Sequence, residues 1–150
     1  AKQLKKMAEQ IRKDFAFDLV KGKNVSATNF RGDGYEPKLV VDGKKDSYWT
    51  TEDNVIQSSL TIEFEEKTTF NRFMIQEYIQ LGQRVKSFSI EVKNEVGWKE
   101  IDRQTTIGYK RILRFSDEIG TAIRINIFDA KACPAISNVE VYHAPELIDE

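Results

Sequence analysis

The chain has 150 residues, with 23 Lys and Arg against 24 Asp and Glu, and is 40% apolar and 11% aromatic. A chain of this length forms one domain that buries about 70% of its unfolded surface, and a net charge of −1 argues against a phosphate-backbone partner. One Cys (Cys133) and one His (His143) exclude an internal disulfide framework, a Cys-based zinc cluster and His-pair metal motifs, and leave little room for a His-based triad.

The first segment is helical in period. Leu4, Met7, Ile11 and Phe15 fall at spacings of three, four and four, and Lys5, Lys6, Glu9, Gln10, Arg12 and Lys13 fill the other face. This predicts an amphipathic helix that stops before Gly22. It either lies on the domain that follows or is the last helix of a preceding domain. The opening AKQLKKMAEQ has no signal-peptide core and no initiating Met, so the chain reads as a piece of a longer one. No apolar run is long enough to cross a membrane as a helix.

After residue 22 the period becomes two. Ile62 and Phe64, then Phe73 and Ile75, then Phe88, Ile90 and Val92 alternate with mostly polar neighbours, Met74 being an exception. Leu113 and Phe115, then Ile123, Ile125 and Ile127, then Val139 and Val141 do the same. These are strands with one buried face. Turn material separates them: Arg31-Gly32-Asp33-Gly34, Asp42-Gly43, Glu95-Val96-Gly97, Glu118-Ile119-Gly120 and Cys133-Pro134. The pattern predicts an all-β antiparallel sandwich of jelly-roll type with an N-terminal helix.

Catalytic signatures are absent: there is no G-x-S-x-G, no Gly-rich phosphate loop and no H-E-x-x-H. Acidic pairs such as Glu65/Glu66 and Glu52/Asp53 sit among other charges and read as solvated surface. The most informative stretch runs from Leu39 through Asp42-Gly43 to Ser47-Tyr48-Trp49-Thr50-Thr51. Its carbonyls, one carboxylate and a hydroxyl can wrap a hard cation. The same residues also make a capped turn before a strand. Trp49 reads as core, Trp98 as packing at a hairpin, His143 as exposed, and Cys133 as a small packed hydrophobe.

Taken together, VVDG-x-x-x-SYWTT, LGQRV, GWK, TTIGYKR and P-x-ISNVEVY resemble the discoidin family, also called coagulation factor V/VIII type C domains. The LGQRV and TTIGYKR segments look like the C-terminal module of bacterial and plant α-L-fucosidases, in which a (β/α) barrel carries the catalysis. The resemblance implies a linker helix at 1–20 from a preceding catalytic domain, a discoidin-like sandwich at 21–145 and a tail at 146–150. It implies a non-catalytic carbohydrate-binding module of an exported exoglycosidase of fucosidase or hexosaminidase/chitobiase type, secreted or periplasmic. Its partners would be terminal sugars of glycans and the parent catalytic domain in cis, with no nucleic acid and no membrane insertion, the module itself being a monomer. The alternative is a structural accessory domain that packs on the barrel and binds no sugar.

Residue by residue, the resemblance implies a structural Ca²⁺ held by the Leu39 and Lys44 carbonyls, the Asp42 carboxylate and Ser47. A last-strand ligand would come from Ser137, Asn138 or Glu140. It places sugar contacts on the loops 29–37, 51–57, 77–84, 105–110 and 129–132, with Arg31, Tyr35, Tyr78, Arg84 and Tyr109 as the residues to contact a ring. Arg84 would either face the sugar or pair with Glu77 to hold its loop. Galactose-binding relatives use a His in the loop after the Trp. This chain has Glu52, Asp53 and Asn54 there, which speaks against a galactose-type site.

Overall fold

The computed structural model describes residues 17–44 and 46–145. Seven strands carry it: β1 (Asn24–Ala27), β2 (Trp49–Thr50), β3 (Ser58–Glu77), β4 (Val85–Lys93), β5 (Trp98–Gln104), β6 (Arg111–Ala130) and β7 (Ala135–Tyr142). All their pairings are antiparallel. Short 3-10 turns lie at Pro37–Val41 and Ile79–Leu81.

Two 20-residue strands, β3 and β6, decide the architecture. The first half of β3 pairs with β1 and with the second half of β6, which in turn pairs with β4. The second half of β3 pairs with β7 and with the first half of β6. Both strands therefore pass from one layer of a sandwich into the other. The register breaks between Glu63 and Thr68, where the chain turns the corner. Gly120 sits opposite this break: a Cβ there would run into the Lys93 carbonyl and the Val92 side chain, so only glycine lets the two strands come this close. The expected turn at Glu118-Ile119-Gly120 is thus a bend inside β6.

The alternating residues of both layers meet in one core. Leu60, Ile62, Phe88, Ile90, Ile123 and Ile125 face Phe70, Phe73, Ile75, Ile136, Val139 and Val141, all fully buried or nearly so. Trp49 is 0% exposed and closes the core at the end where β2 pairs with β7. Its indole N–H donates to the Asn29 carbonyl at 3.0 Å.

The N-terminal helix expected from Leu4, Met7, Ile11 and Phe15 lies outside the described residues. Phe17–Val20, the end of the segment assigned to it, is not helical. The Leu19 N–H donates to the Val141 carbonyl at 2.8 Å, the Asp18 carboxylate accepts from Val20 and Val141, and Val20 is buried in the core. These pairings to β7 replace the helical ones and bring residues 18–20 into the sandwich, ahead of the boundary expected at residue 21.

Candidate functional site

The five loops singled out in the sequence gather at one end of the sandwich, opposite the corner at Glu63–Thr68. They follow or precede the strand ends at Ala27, Thr50, Glu77, Gln104 and Ala130. A cavity of about 330 Å³ opens among them, lined by Arg31, Tyr35, Tyr48, Asp53, Leu81, Arg84 and Cys133, among others. Arg31, Tyr35 and Arg84 therefore converge on one cavity.

Each is held by identifiable bonds. The Arg31 N–H donates to the Thr50 carbonyl at 2.9 Å, which pins the loop after β1 to β2. Its guanidinium reaches the Thr51 carbonyl at 3.1 Å, the Asp53 carboxylate at 2.5 Å and the Cys133 sulfur at 3.5 Å. The Arg84 guanidinium donates to the Cys133 carbonyl at 2.9 Å. Cys133 thus joins the two arginines and is a wall of the cavity as well as a packed residue.

Glu77 does not pair with the Arg84 side chain. Glu77 is 3% exposed, and its carboxylate accepts three backbone N–H groups: Arg84 at 2.8 Å, Val85 at 2.9 Å and Gly108 at 2.8 Å. The Glu77 N–H also donates to the Gly108 carbonyl. One buried side chain therefore ties the 77–84 loop to the 105–110 loop and leaves the Arg84 guanidinium to face the cavity.

Tyr78 does not line the cavity itself. It stacks on Tyr48 with ring centroids 4.3 Å apart, and Tyr35 tilts against Tyr48 at 5.4 Å. Tyr48, absent from the residues named from sequence, is the centre of this aromatic group. Strand period explains it: Trp49 points into the core, so its neighbour points out. Desolvation pushes the Tyr48 hydroxyl pKa up, and the neighbouring Tyr35 adds to the effect. Tyr109 stands apart from the cavity and is 62% exposed.

The residues assigned to calcium lie on a different flank. The Asp42 carboxylate accepts the Lys44 N–H at 2.8 Å and the Ser47 hydroxyl at 2.6 Å, closing the turn around Gly43. A cavity of about 540 Å³ beside it is lined by Asp18, Lys21, Gly43, Asn138, Glu140 and Tyr142 among others. The Asn138 amide donates to Gln76 at 3.0 Å and to Glu140 at 2.6 Å, and the Tyr142 hydroxyl donates to the other Glu140 oxygen. Burial raises the Asp18 pKa, against the two backbone N–H groups that lower it. The loop half thus offers hard oxygen donors suited to Ca²⁺. The last-strand half directs its oxygens to its own neighbours, and Lys21 runs over Gly43, so that a Cβ there would meet its Cε at 3.3 Å. Among the described residues, no three His, Cys, Asp or Glu side chains stand together as metal ligands.

Comparison with known proteins agrees with this architecture. The family model described as F5/8 type C domain matches residues 24–141. Alpha-L-fucosidase 1 of Arabidopsis thaliana is 31% identical over 147 residues, which is 94% of this chain and 29% of that protein. A GH29 fucosidase of Ruminococcus gnavus, solved in complex with fucose, superposes with a TM-score of 0.82 at 29% identity, covering 97% of this chain and 30% of its own. Chitosan-binding module 2 of a chitosanase/glucanase from Paenibacillus sp. IK-5, solved with chitotriose, shares the fold with a TM-score of 0.75 at 18% identity, covering 83% of this chain and 99% of its own. The chain spans less than a third of the fucosidases it matches. With the family model covering all seven strands but the last residue of β7, this chain belongs to the F5/8 type C, or discoidin, domain family.

Proposed function

We propose that this chain is a non-catalytic module of an α-L-fucosidase-like glycosidase and that it binds sugar at the loop end of the sandwich. The observation that supports the reading is the convergence of two guanidiniums, one carboxylate and a tyrosine cluster on one cavity. Aromatic rings suit the C–H face of a pyranose, and guanidinium forks suit its oxygens. The chitotriose complex of the Paenibacillus module adds a case of oligosaccharide binding on this fold. The fucosidase relatives favour a fucosidase over a hexosaminidase as the parent, and an exported glycan-degrading enzyme as its setting.

Affinity at one small open site is weak, because little area is buried. Titrating the ¹⁵N-labelled chain with a broad oligosaccharide panel is expected to move the amides of Arg31, Tyr35, Tyr48 and Arg84 together. Tyr48→Ala is expected to weaken that binding about fivefold, the loss of one ring contact worth about 1 kcal/mol. A panel that moves none of these amides would refute the reading.

A second reading, an accessory domain packed on a catalytic barrel, is favoured by the entry point of the chain. Phe17 is 69% exposed, three residues before the buried Val20. Joining the parent catalytic domain should then bury Leu4, Met7 and Ile11. The two readings separate in the isolated chain, which responds to sugar only in the first.

For calcium we propose the Asp42 carboxylate, the Ser47 hydroxyl and the Leu39 and Lys44 carbonyls as the holders, in a structural role. With Lys21 opposing a second positive charge, binding is expected in the millimolar range. At about ten times Kd, calcium would then add about 1.4 kcal/mol. Adding Ca²⁺ should raise the melting temperature of the native chain and not of Asp42→Ala. An unchanged melt in both excess Ca²⁺ and chelator would remove the site.

A further inference from the structure

The cavity at the loop end has unequal charges. It is lined by two arginines and one carboxylate. Arg31 is already matched, since its guanidinium pairs with Asp53 and also reaches the Thr51 carbonyl and the Cys133 sulfur. Arg84 is not. Its guanidinium has one protein acceptor, the neutral Cys133 carbonyl, and among the described residues it makes no ion pair. A guanidinium carries five N–H donors in a fixed fork. Glu77, at the start of the same loop, cannot match it, because that carboxylate is buried on three backbone N–H groups of the adjoining loops. Arg84 is also half-buried, so solvent screens its charge less than on an open surface.

We propose that the ligand of this cavity is an acidic sugar, a pyranose whose ring carries a carboxylate, and that Arg84 takes that carboxylate with its free fork. The assignment rests on the sugar-binding reading and deepens it. The two-toothed fit of guanidinium to carboxylate is planar and charge-assisted, and it fixes the sugar's orientation as well as its affinity. With the carboxylate on Arg84, the ring lies toward Tyr48 and Tyr35, which line the same cavity. Arg31, held by Asp53, is left to serve ring hydroxyls through its remaining donors.

The test compares matched ligands on the ¹⁵N-labelled full chain: methyl glucuronide, methyl glucoside and methyl glucoside 6-sulfate. The glucuronide is expected to bind about tenfold tighter than the glucoside, with shifts at Arg84 and Cys133. Its affinity should fall as salt rises from about 50 to about 500 mM, while that of the glucoside stays level. Arg84→Gln should lower glucuronide affinity about tenfold and remove its salt dependence. Arg84→Lys keeps the charge without the fork, and should lose the preference for carboxylate over sulfate while keeping the salt dependence. Native melting curves for both variants exclude misfolding as the cause of a loss. Equal binding of glucuronide and glucoside at these amides would overturn the acidic-sugar assignment and leave sugar binding standing. Equal binding of glucuronide and sulfate to the native chain would overturn the carboxylate assignment. No response to any of the three or to neutral oligosaccharides would remove both.

Discussion

Replacing Glu77 by alanine is expected to cost about 3–5 kcal/mol of stability, among the largest effects of any single change in this chain. The side chain is an unusual buried acid, in no ion pair among the described residues and held instead by three backbone N–H groups. Removing it strands three donors near the protein interior, and each unsatisfied donor costs about 1–3 kcal/mol. Some of that returns if water enters, which keeps the total below the simple sum. For a domain of this length the melting temperature should fall by roughly 10 °C. The loss should also be local in its consequences. The 77–84 and 105–110 loops lose their common anchor, so amide exchange at Arg84, Val85 and Gly108 should rise more than in β4 or β6. Glu77→Gln retains one carbonyl oxygen but turns an NH₂ toward a backbone donor, and should fall between the two. A melt of Glu77→Ala within about 2 °C of the native chain would show that the carboxylate does not hold these loops.

Trp49→Ala is expected to cost about 3–5 kcal/mol, the usual range for deleting a large aromatic side chain from a packed core. Here the ring also connects core to site. Its indole N–H holds the Asn29 carbonyl, at the start of the loop that carries Arg31 and Tyr35. Trp49→Phe separates the two roles. It keeps most of the packing and leaves the Asn29 carbonyl without its partner. It should therefore cost about 1–2 kcal/mol in stability while disturbing the Arg31 and Tyr35 amides at a distance from the substitution. Chemical shifts confined to residues touching Trp49, with Arg31 and Tyr35 unmoved, would contradict that link.

Much of the sandwich was legible in the alternation of Ile, Val and Phe, because a strand with one buried face writes its period into the sequence. What stayed hidden has physical reasons. From sequence, β3 and β6 read as pairs of shorter strands, since Glu65/Glu66 reads as solvated surface and Glu118-Ile119-Gly120 as a turn. A strand that changes layers must expose polar residues at its bend and bring backbones close, so the same residues serve both. β2 is only two residues long, and β5 (WKEIDRQ) has no fully buried position, so neither carries a clear period.

The site was legible residue by residue but not as a set. Arg31, Tyr35 and Arg84 meet at one cavity, whereas Tyr109 stands outside. Tyr48 reaches Tyr78 only because β2 pairs with β7, Thr50 opposite Ala135, a contact between distant parts of the chain that local pattern cannot reveal. For Arg84 the sequence leaves two roles open, facing a sugar or pairing with Glu77. The actual bond goes to the Arg84 backbone, and that difference is what leaves the guanidinium available.

The way β3 and β6 change layers bears on what a ligand would do to the protein. At the corner, two continuous strands fasten the layers covalently. At the other end, each loop that borders the cavity starts in one layer and finishes in the other. The sandwich is built like a clip, sprung at one end and open at the other, with the cavity between its jaws. A sugar seated there would add contacts between the layers at this end, beside the loops themselves and the bonds of Glu77 and Arg84. Occupancy would then register as reduced motion across the whole loop end, including residues that never touch the ligand.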